Sequence, residues 1–272
     1  MNKLLLLVFF IGSHSVWSQN QTVLERTSTN DHEHYGWNTV INDDWVVVGS
    51  PHSSVENTLK AGKVDVFSKN ESGTWELFQV LTDSAVSAYV NFGYAVAIFD
   101  DYLAVGAIGS AIQGPTSGKV ILYKFENNTW EKVDQFLSGT AKAVQWFGNA
   151  LAMNADYLAV GAFKGDGVNE GSGEVYVIEN YASSSSPNMK RLATSKQKKG
   201  DSFGYAIAMS EGGEIIVGAP DTEGDYASAG AAYVFKKEGA VWTESDFLVL
   251  DDQGISDQFG FSVDITNSKI AV

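Results

Sequence analysis

A pair made of an aromatic residue and a glycine recurs along this chain at intervals of 55 to 57 residues. A spacing this constant indicates an internal repeat, and repeats of about this length are typical of arrays whose units each fold as one small set of strands. The pairs are Tyr35-Gly36, Phe92-Gly93, Phe147-Gly148, Phe203-Gly204 and Phe259-Gly260. We interpret these ten residues as a structural motif.

Two more glycines follow each of the first four aromatic residues. The first comes after 14 or 15 residues and ends an apolar run; the second comes after 26 or 27 residues and opens another. These glycines are Gly49, Gly106, Gly161 and Gly218, then Gly62, Gly118, Gly173 and Gly230. Between each aromatic residue and the first of these glycines lie Asn, Asp or Gly residues that favour tight hairpin turns. Each repeat therefore predicts four short strands.

Four strands in each of several consecutive repeats predict an all-β fold, a β-propeller of four-stranded antiparallel blades. We expect complete blades at 35–91, 92–146, 147–202 and 203–258, and a partial fifth at 259–272. Large and small residues alternate along strand one, as in Tyr94, Ala95, Val96 and Ala97. A period of two places them on opposite faces, so neighbouring blades can pack large residues against small ones.

Both ends of the chain carry expectations of their own. In this register Val272 stands one residue before the strand-two glycine of a fifth blade. We therefore expect a fragment of a larger propeller; the alternative is a short, imperfect ring of five blades. The N-terminal segment 19–34 includes a possible closing strand at 22–26.

Residues 1–18 have the pattern of a secretory signal peptide: Lys3, an apolar run at 4–11 and a polar stretch at 13–18. We therefore expect a secreted or cell-surface protein. No later segment reaches the roughly 18 apolar residues of a membrane helix, so we expect no transmembrane segment after cleavage. The chain has no cysteine, and packing alone must hold an exported fold without disulfides.

The formal net charge of −15 makes nucleic acid an unfavourable partner, since acidic surfaces repel phosphate backbones. One cluster of basic residues departs from this acidic balance. It is open to two interpretations: a solvated strand and loop, or a site for a polyanion. It contains Lys190, Arg191, Lys196, Lys198 and Lys199.

The fourth repeat resembles the FG-GAP repeat of integrin α-chains and of many secreted bacterial proteins. The resemblance rests on Phe203 to Ala208, on Ile216 to Pro220 and on Gly230 to Phe235, and it extends from Tyr35 to the end of the chain. It implies a β-propeller and an extracellular role, and it says little about the ligand.

In integrins some of these repeats carry a calcium loop between strands two and three. The nearest candidate metal ligands here are Asp221, Glu223 and Asp225, which offer alternating carboxylates to a hard cation. Tyr226 and Ala229 stand where that pattern has a glycine and an aspartate, so a solvated acidic turn is the alternative. We expect no cofactor other than this calcium.

We identify no catalytic residue and do not expect an enzyme. One feature resembles the Asp-box of sialidase-type propellers: the turn from Ser68 to Trp75 keeps Ser68, Thr74 and Trp75 but has Asn70 in place of the aspartate. Three functions therefore remain open: an extracellular module that binds protein or glycan, a structural scaffold of a larger surface protein, and a glycan-cleaving propeller.

Overall fold

The computed structural model describes Leu24 and residues 32–139, 142–183, 188–224 and 226–272. In these residues the regular structure is entirely β, and no helix is long and apolar enough to cross a membrane. The expected signal peptide at 1–18 lies outside the described residues. So does the expected closing strand at 22–26, apart from Leu24, which packs near Val46 and Phe67.

Four antiparallel sheets of four strands each follow one another along the chain. The first contains β1 (Thr39–Ile41), β2 (Trp45–Ser50), β3 (Lys63–Lys69) and β4 (Trp75–Leu81). The second contains β5 (Phe92–Phe99), β6 (Tyr102–Ala107), β7 (Val120–Glu126) and β8 (Thr129–Phe136).

The third sheet contains β9 (Leu151–Met153), β10 (Tyr157–Ala162), β11 (Glu174–Glu179) and β12 (Asn188–Leu192). The fourth contains β13 (Ala206–Met209), β14 (Ile215–Ala219), β15 (Ala231–Glu238) and β16 (Val241–Leu248). A two-stranded sheet of β17 (Asp264–Ile265) and β18 (Ile270–Ala271) comes last. The predicted fold, four complete blades and part of a fifth, is confirmed.

Strand two of each blade is an apolar run without alternation because both of its faces are covered. Every residue of β2 and β14 is buried, as are all but the first residue of β6 and β10. Strand four, at the outer edge, is instead mostly partly or fully exposed. Burial therefore falls from the middle of each blade towards its outer edge.

The first strands of successive blades lie side by side. β5 contacts both β1 and β9, and β13 contacts both β9 and β17. The apolar clusters likewise bridge neighbouring sheets; one of them joins Val47 and Val66 of the first blade to Leu103 and Ile121 of the second. The blades therefore pack face to face around a centre formed by their first strands.

Three of the four complete blades contain a β-bulge between strands three and four. The pairing of strands three and four shifts register at Phe67, Tyr123 and Phe235, and no shift occurs between β11 and β12. The third blade is also the one without a tryptophan at this hairpin, and β12 has five residues where the other outer strands have seven or eight. The bulge thus accompanies the tryptophan hairpin.

Candidate binding face

The glycines of the repeat meet at each junction between blades. Gly173 pairs with Phe203 of the next blade, and a Cβ built on Gly173 would lie 2.1 Å from the Phe203 carbonyl oxygen. A Cβ on Gly161 would lie 2.4 Å from the Gly204 oxygen. Only glycine allows this approach. The same contacts recur at the other junctions, where Gly62, Gly118 and Gly230 pair with Phe92, Phe147 and Phe259.

The aromatic member of the pair anchors each junction. Phe92, Phe147 and Phe203 are fully buried, and their backbone amides donate to the preceding blade. Phe259 is partly buried against the fourth blade, and Tyr35 packs against the cluster of Val46, Val48 and Phe67 in the first. Gly36, Gly93, Gly148, Gly204 and Gly260 all have positive φ. The sequence motif is therefore a junction between blades.

One face of the molecule carries all the loops near these junctions. Because the strands are antiparallel, the loops between strands two and three share an edge with the connections from strand four to the next strand one. Backbone hydrogen bonds join the two sets, for example from Tyr89 to Leu59 and from Val144 to Pro115. We call this edge the long-loop face. It comprises the described residues of 51–62, 82–91, 108–119, 137–146, 163–173, 193–202, 220–230 and 249–258.

Aromatic rings form a continuous belt where the long-loop face meets the starts of the first strands. Neighbouring ring centroids are 4.9 to 6.4 Å apart, within the range of favourable aromatic contacts. The aromatic belt consists, in order, of Trp37, Tyr94, Trp146, Phe163, Tyr205 and Phe261. Its two ends are open to solvent, since Trp37 is 50% exposed and Phe261 is 52% exposed.

Four belt residues occupy the second position after the repeat aromatic, where the alternation along strand one predicted bulky residues for blade packing. That prediction covered Phe261 as well as Tyr94 and Tyr205, and the two tyrosines show the difference most clearly. In the structure each is half-buried in the belt, because regular strand pairing starts only afterwards: register shifts between Phe92 and Val96, and β13 begins at Ala206. The recurrence of an aromatic at this position could have indicated the belt.

The third blade replaces that aromatic with Asn149, and the belt is completed by other residues. Asn149 is buried; its amide nitrogen donates to the backbone oxygens of Gly204 and Tyr205, and its amide oxygen accepts from the Phe163 amide. These bonds hold Phe163 against Tyr205, while Trp146 reaches back to Tyr94. Sequence reasoning missed both rings because neither has an aromatic counterpart in the other repeats.

The two tyrosines of the belt have pKa values above the ordinary value. Burial raises the pKa of the Tyr94 hydroxyl, and nearby Tyr205 raises it further. Burial also raises the pKa of Tyr205, with a smaller contribution from the Asp221 carboxylate. Both phenols therefore stay neutral near pH 7 and remain hydrogen-bond donors.

The connections that carry the belt have strained backbones. The first and third residues before the repeat aromatic have positive φ in every repeat, including Val144 at 58° and Trp146 at 56°. Such values are rare for a β-branched or bulky residue and cost about 1–3 kcal/mol each. The strain turns these side chains out of the strand and onto the long-loop face.

A pocket of about 270 Å³ lies at the Trp37 end of the belt. Trp37, Tyr94 and Trp146 supply aromatic walls, and His52 and Asn91 supply polar edges. We call it the central pocket. Its size suits one large side chain or one sugar ring.

The long-loop face also carries exposed apolar side chains. They come from the loops on both sides of each junction and expose about half of their surface or more. They are Leu59, Tyr89, Ile112, Val144, Val168, Tyr226 and Ile255. Apolar residues gathered on one face of a protein mark interaction surfaces.

The structure describes two of the three candidate calcium ligands. Asp221 accepts a hydrogen bond from Ser202 Oγ at 2.7 Å, Glu223 is exposed, and Asp225 lies outside the described residues. In the described part of the chain, no three His, Cys, Asp or Glu side chains group closely enough to hold a metal ion. The calcium site and its alternative, a solvated acidic turn, therefore both stay predictions.

The basic cluster is largely paired with carboxylates. Arg191 pairs with Glu174 at 3.1 Å, Lys199 with Glu170 at 2.7 Å, and Lys196 with Glu244. Lys198 donates to the Glu223 backbone oxygen and borders a cavity of about 550 Å³ between the third and fourth blades. The contacts favour the interpretation of a solvated strand and loop.

The turn that resembles an Asp-box lies on the opposite face. Asn70 Oδ1 accepts the amides of Ser72 and Thr74 at 3.0 and 2.9 Å, so it closes the β3–β4 hairpin. Trp75 packs on the first blade and carries the Lys69 ammonium over its ring. These contacts give the turn a structural role, remote from the aromatic belt.

Comparison with known families supports the repeat. A family model described as FG-GAP repeat matches residues 75–123, 130–178 and 188–235. Each matched segment begins in or near strand four of one blade and ends in or near strand three of the next. A search of curated proteins finds no match.

Proposed function

The chain belongs to the FG-GAP repeat family, and from that premise we propose that it is an extracellular, non-catalytic binding or adhesion module. Its partner would be a protein or a glycan, bound on the long-loop face. The signal-like segment at 1–18 supports export, and propeller loops gathered on one face are a common place for binding residues.

The aromatic belt carries this proposal. Aromatic rings supply large contact areas at interfaces, and Trp and Tyr are frequent among the residues that dominate binding energy. The belt leaves Trp37 and Phe261 about half exposed, so a partner can reach both rings.

The aliphatic neighbours of the belt favour a protein over a glycan. Sugars stack on flat rings, whereas Leu59, Ile112 and Val144 offer exposed aliphatic groups that suit the apolar side chains of another protein. A glycan remains the second class to test, because the central pocket combines rings with His52 and Asn91.

The test is a screen of the purified protein against panels of extracellular proteins and glycans. The double variant Trp37→Ser/Phe261→Ser should weaken binding by roughly 30-fold or more, since truncating interface anchors costs about 2 kcal/mol or more. Val133→Ser is the matched control, because Val133 is also exposed but lies on the outer strand β8.

We expect the control to bind like the wild type and all variants to keep their melting temperature. Finding no partner in either panel, or equal binding by the double variant, would count against the proposal. Hydrolysis of any glycoside in the panel would favour the enzymatic alternative.

A further inference from the structure

Two histidines from separate segments stack on each other at the Trp37 end of the belt. His34 precedes the first repeat motif and has a φ of 54°, and His52 begins the first long loop. Their ring centroids are 4.0 Å apart with an interplanar angle of 31°. The His52 amide donates to the Glu33 carbonyl oxygen at 3.2 Å, which joins the two segments.

The stack continues into the aromatic belt. The His34 ring lies 5.3 Å from the Trp37 ring, almost parallel at 13°, and the Trp37 amide donates to the His34 carbonyl oxygen. His52 and Trp37 both line the central pocket. The position of Trp37, and with it one wall of the pocket, therefore depends on the histidine pair.

The surroundings of His52 disfavour a charge on its ring. Burial lowers the pKa of His52, and His34 and Lys60 lower it further. The nearby Glu33 carboxylate is buried and pairs with Lys63 at 3.7 Å. From the second blade the pocket presents the phenol of Tyr94 and neutral groups such as Asn91.

Two neutral imidazoles can stack, but two imidazolium rings at this separation repel each other, and Lys60 adds to the repulsion around His52. We propose that the His34–His52 pair is a pH-sensitive latch, which holds Trp37 against the central pocket near neutral pH and moves it once acidification charges both rings and drives them apart. Because the pocket belongs to the face assigned to partner binding, this inference rests on the proposed function.

A titration of the full chain without any partner tests the latch directly. NMR would follow the imidazole signals and the Trp37 indole signal from about pH 8 to pH 5, the range in which histidines titrate. Signals would be assigned with His32→Gln, His34→Gln and His52→Gln. We expect the pKa of His52 to lie below ordinary histidine values and the Trp37 signal to follow the His52 titration.

In His34→Gln the His52 titration should become a single step at higher pH, and the Trp37 signal should no longer follow it. His32→Gln is the matched control, since His32 is exposed and two residues from His34; it should leave the His52 and Trp37 curves unchanged. A His52 titration that His34→Gln leaves unchanged, or a Trp37 signal that is constant with pH, would overturn the latch. Either result leaves the partner screen unaffected, so the two proposals fail separately.

Discussion

At the scale of single residues, the glycines of the repeat have two different roles. Gly173 has a φ of +89° and faces the Phe203 carbonyl oxygen, so a side chain there meets both backbone strain and a collision. Gly200 has a φ of +82°, but a Cβ there would meet nothing within 4 Å. The equivalent positions of other repeats carry His32, Tyr89 and Val144 at similar φ.

Alanine substitutions should separate these roles. Gly173→Ala should lower the free energy of unfolding by roughly 3–5 kcal/mol, because the Phe203 backbone must move. Gly200→Ala should cost only about 1 kcal/mol, the strain of a left-handed residue. Urea unfolding of the two variants beside the wild type measures both. Equal losses would mean that close approach at the junction contributes nothing beyond φ.

At the scale of strands and sheets, ionic contacts join neighbouring blades as the glycines do. Asp83, after β4, pairs with Lys119, before β7, at 2.5 Å with both side chains buried. Glu179, at the end of β11, accepts Lys237 Nζ at 2.8 Å and Trp242 Nε1 at 3.2 Å from the fourth blade. Removing one partner of such a buried pair is costly, because it leaves the other charge buried and unpaired.

The Glu179 contacts predict a pH dependence of stability. Burial alone would raise the pKa of the Glu179 carboxyl, but hydrogen bonds from Lys237, Trp242 and Asn188 outweigh it and hold the pKa below its ordinary value. The stabilisation is therefore present above the unfolded-state pKa of about 4.3 and is lost as pH falls through the folded-state value.

Glu179→Gln should accordingly be less stable than the wild type at pH 7, and the difference should shrink towards pH 3. Chemical unfolding at both pH values measures it. Glu238→Gln is the control, because Glu238 is exposed at the end of β15. A difference that stays constant down to pH 2, or an equal effect in the control, would contradict the assignment.

At the scale of the whole molecule, the acidic long loops of the fourth blade raise the question of calcium. The Asp221 carboxylate already accepts a hydrogen bond from Ser202. Of the other two candidate ligands, Glu223 is exposed and Asp225 lies outside the described residues. We expect about 5 mM calcium, above the roughly 1 mM dissociation constants of weak extracellular modules, to leave the melting temperature unchanged. A rise that Asp221→Asn abolishes and Asp251→Asn keeps would instead establish the site.

The fold could be predicted from the sequence because its signals are local and repeated. Glycines at constant spacing mark the strands of each blade. The buried strands β2, β6, β10 and β14 appear in the sequence as uninterrupted apolar runs. The composition of the strands and the turn residues between them indicated the remaining strands.

The binding face could be predicted only in part, because it depends on contacts between repeats. Trp146 and Phe163 enter the belt through a positive φ and through Asn149, whose partners lie 55 and 56 residues away. The stacking of His34 on His52 likewise joins two segments that have no shared pattern in sequence. No periodicity encodes such contacts.

The offset between the matched segments and the blades bears on how such chains arise. Each segment supplies the outer strand of one blade and the three inner strands of the next. A tandem duplication of one segment would therefore add a whole blade while leaving every strand paired, and the copy would bring its own glycine junction. Gene duplication can thus lengthen the array one blade at a time without passing through an ancestor with a broken sheet.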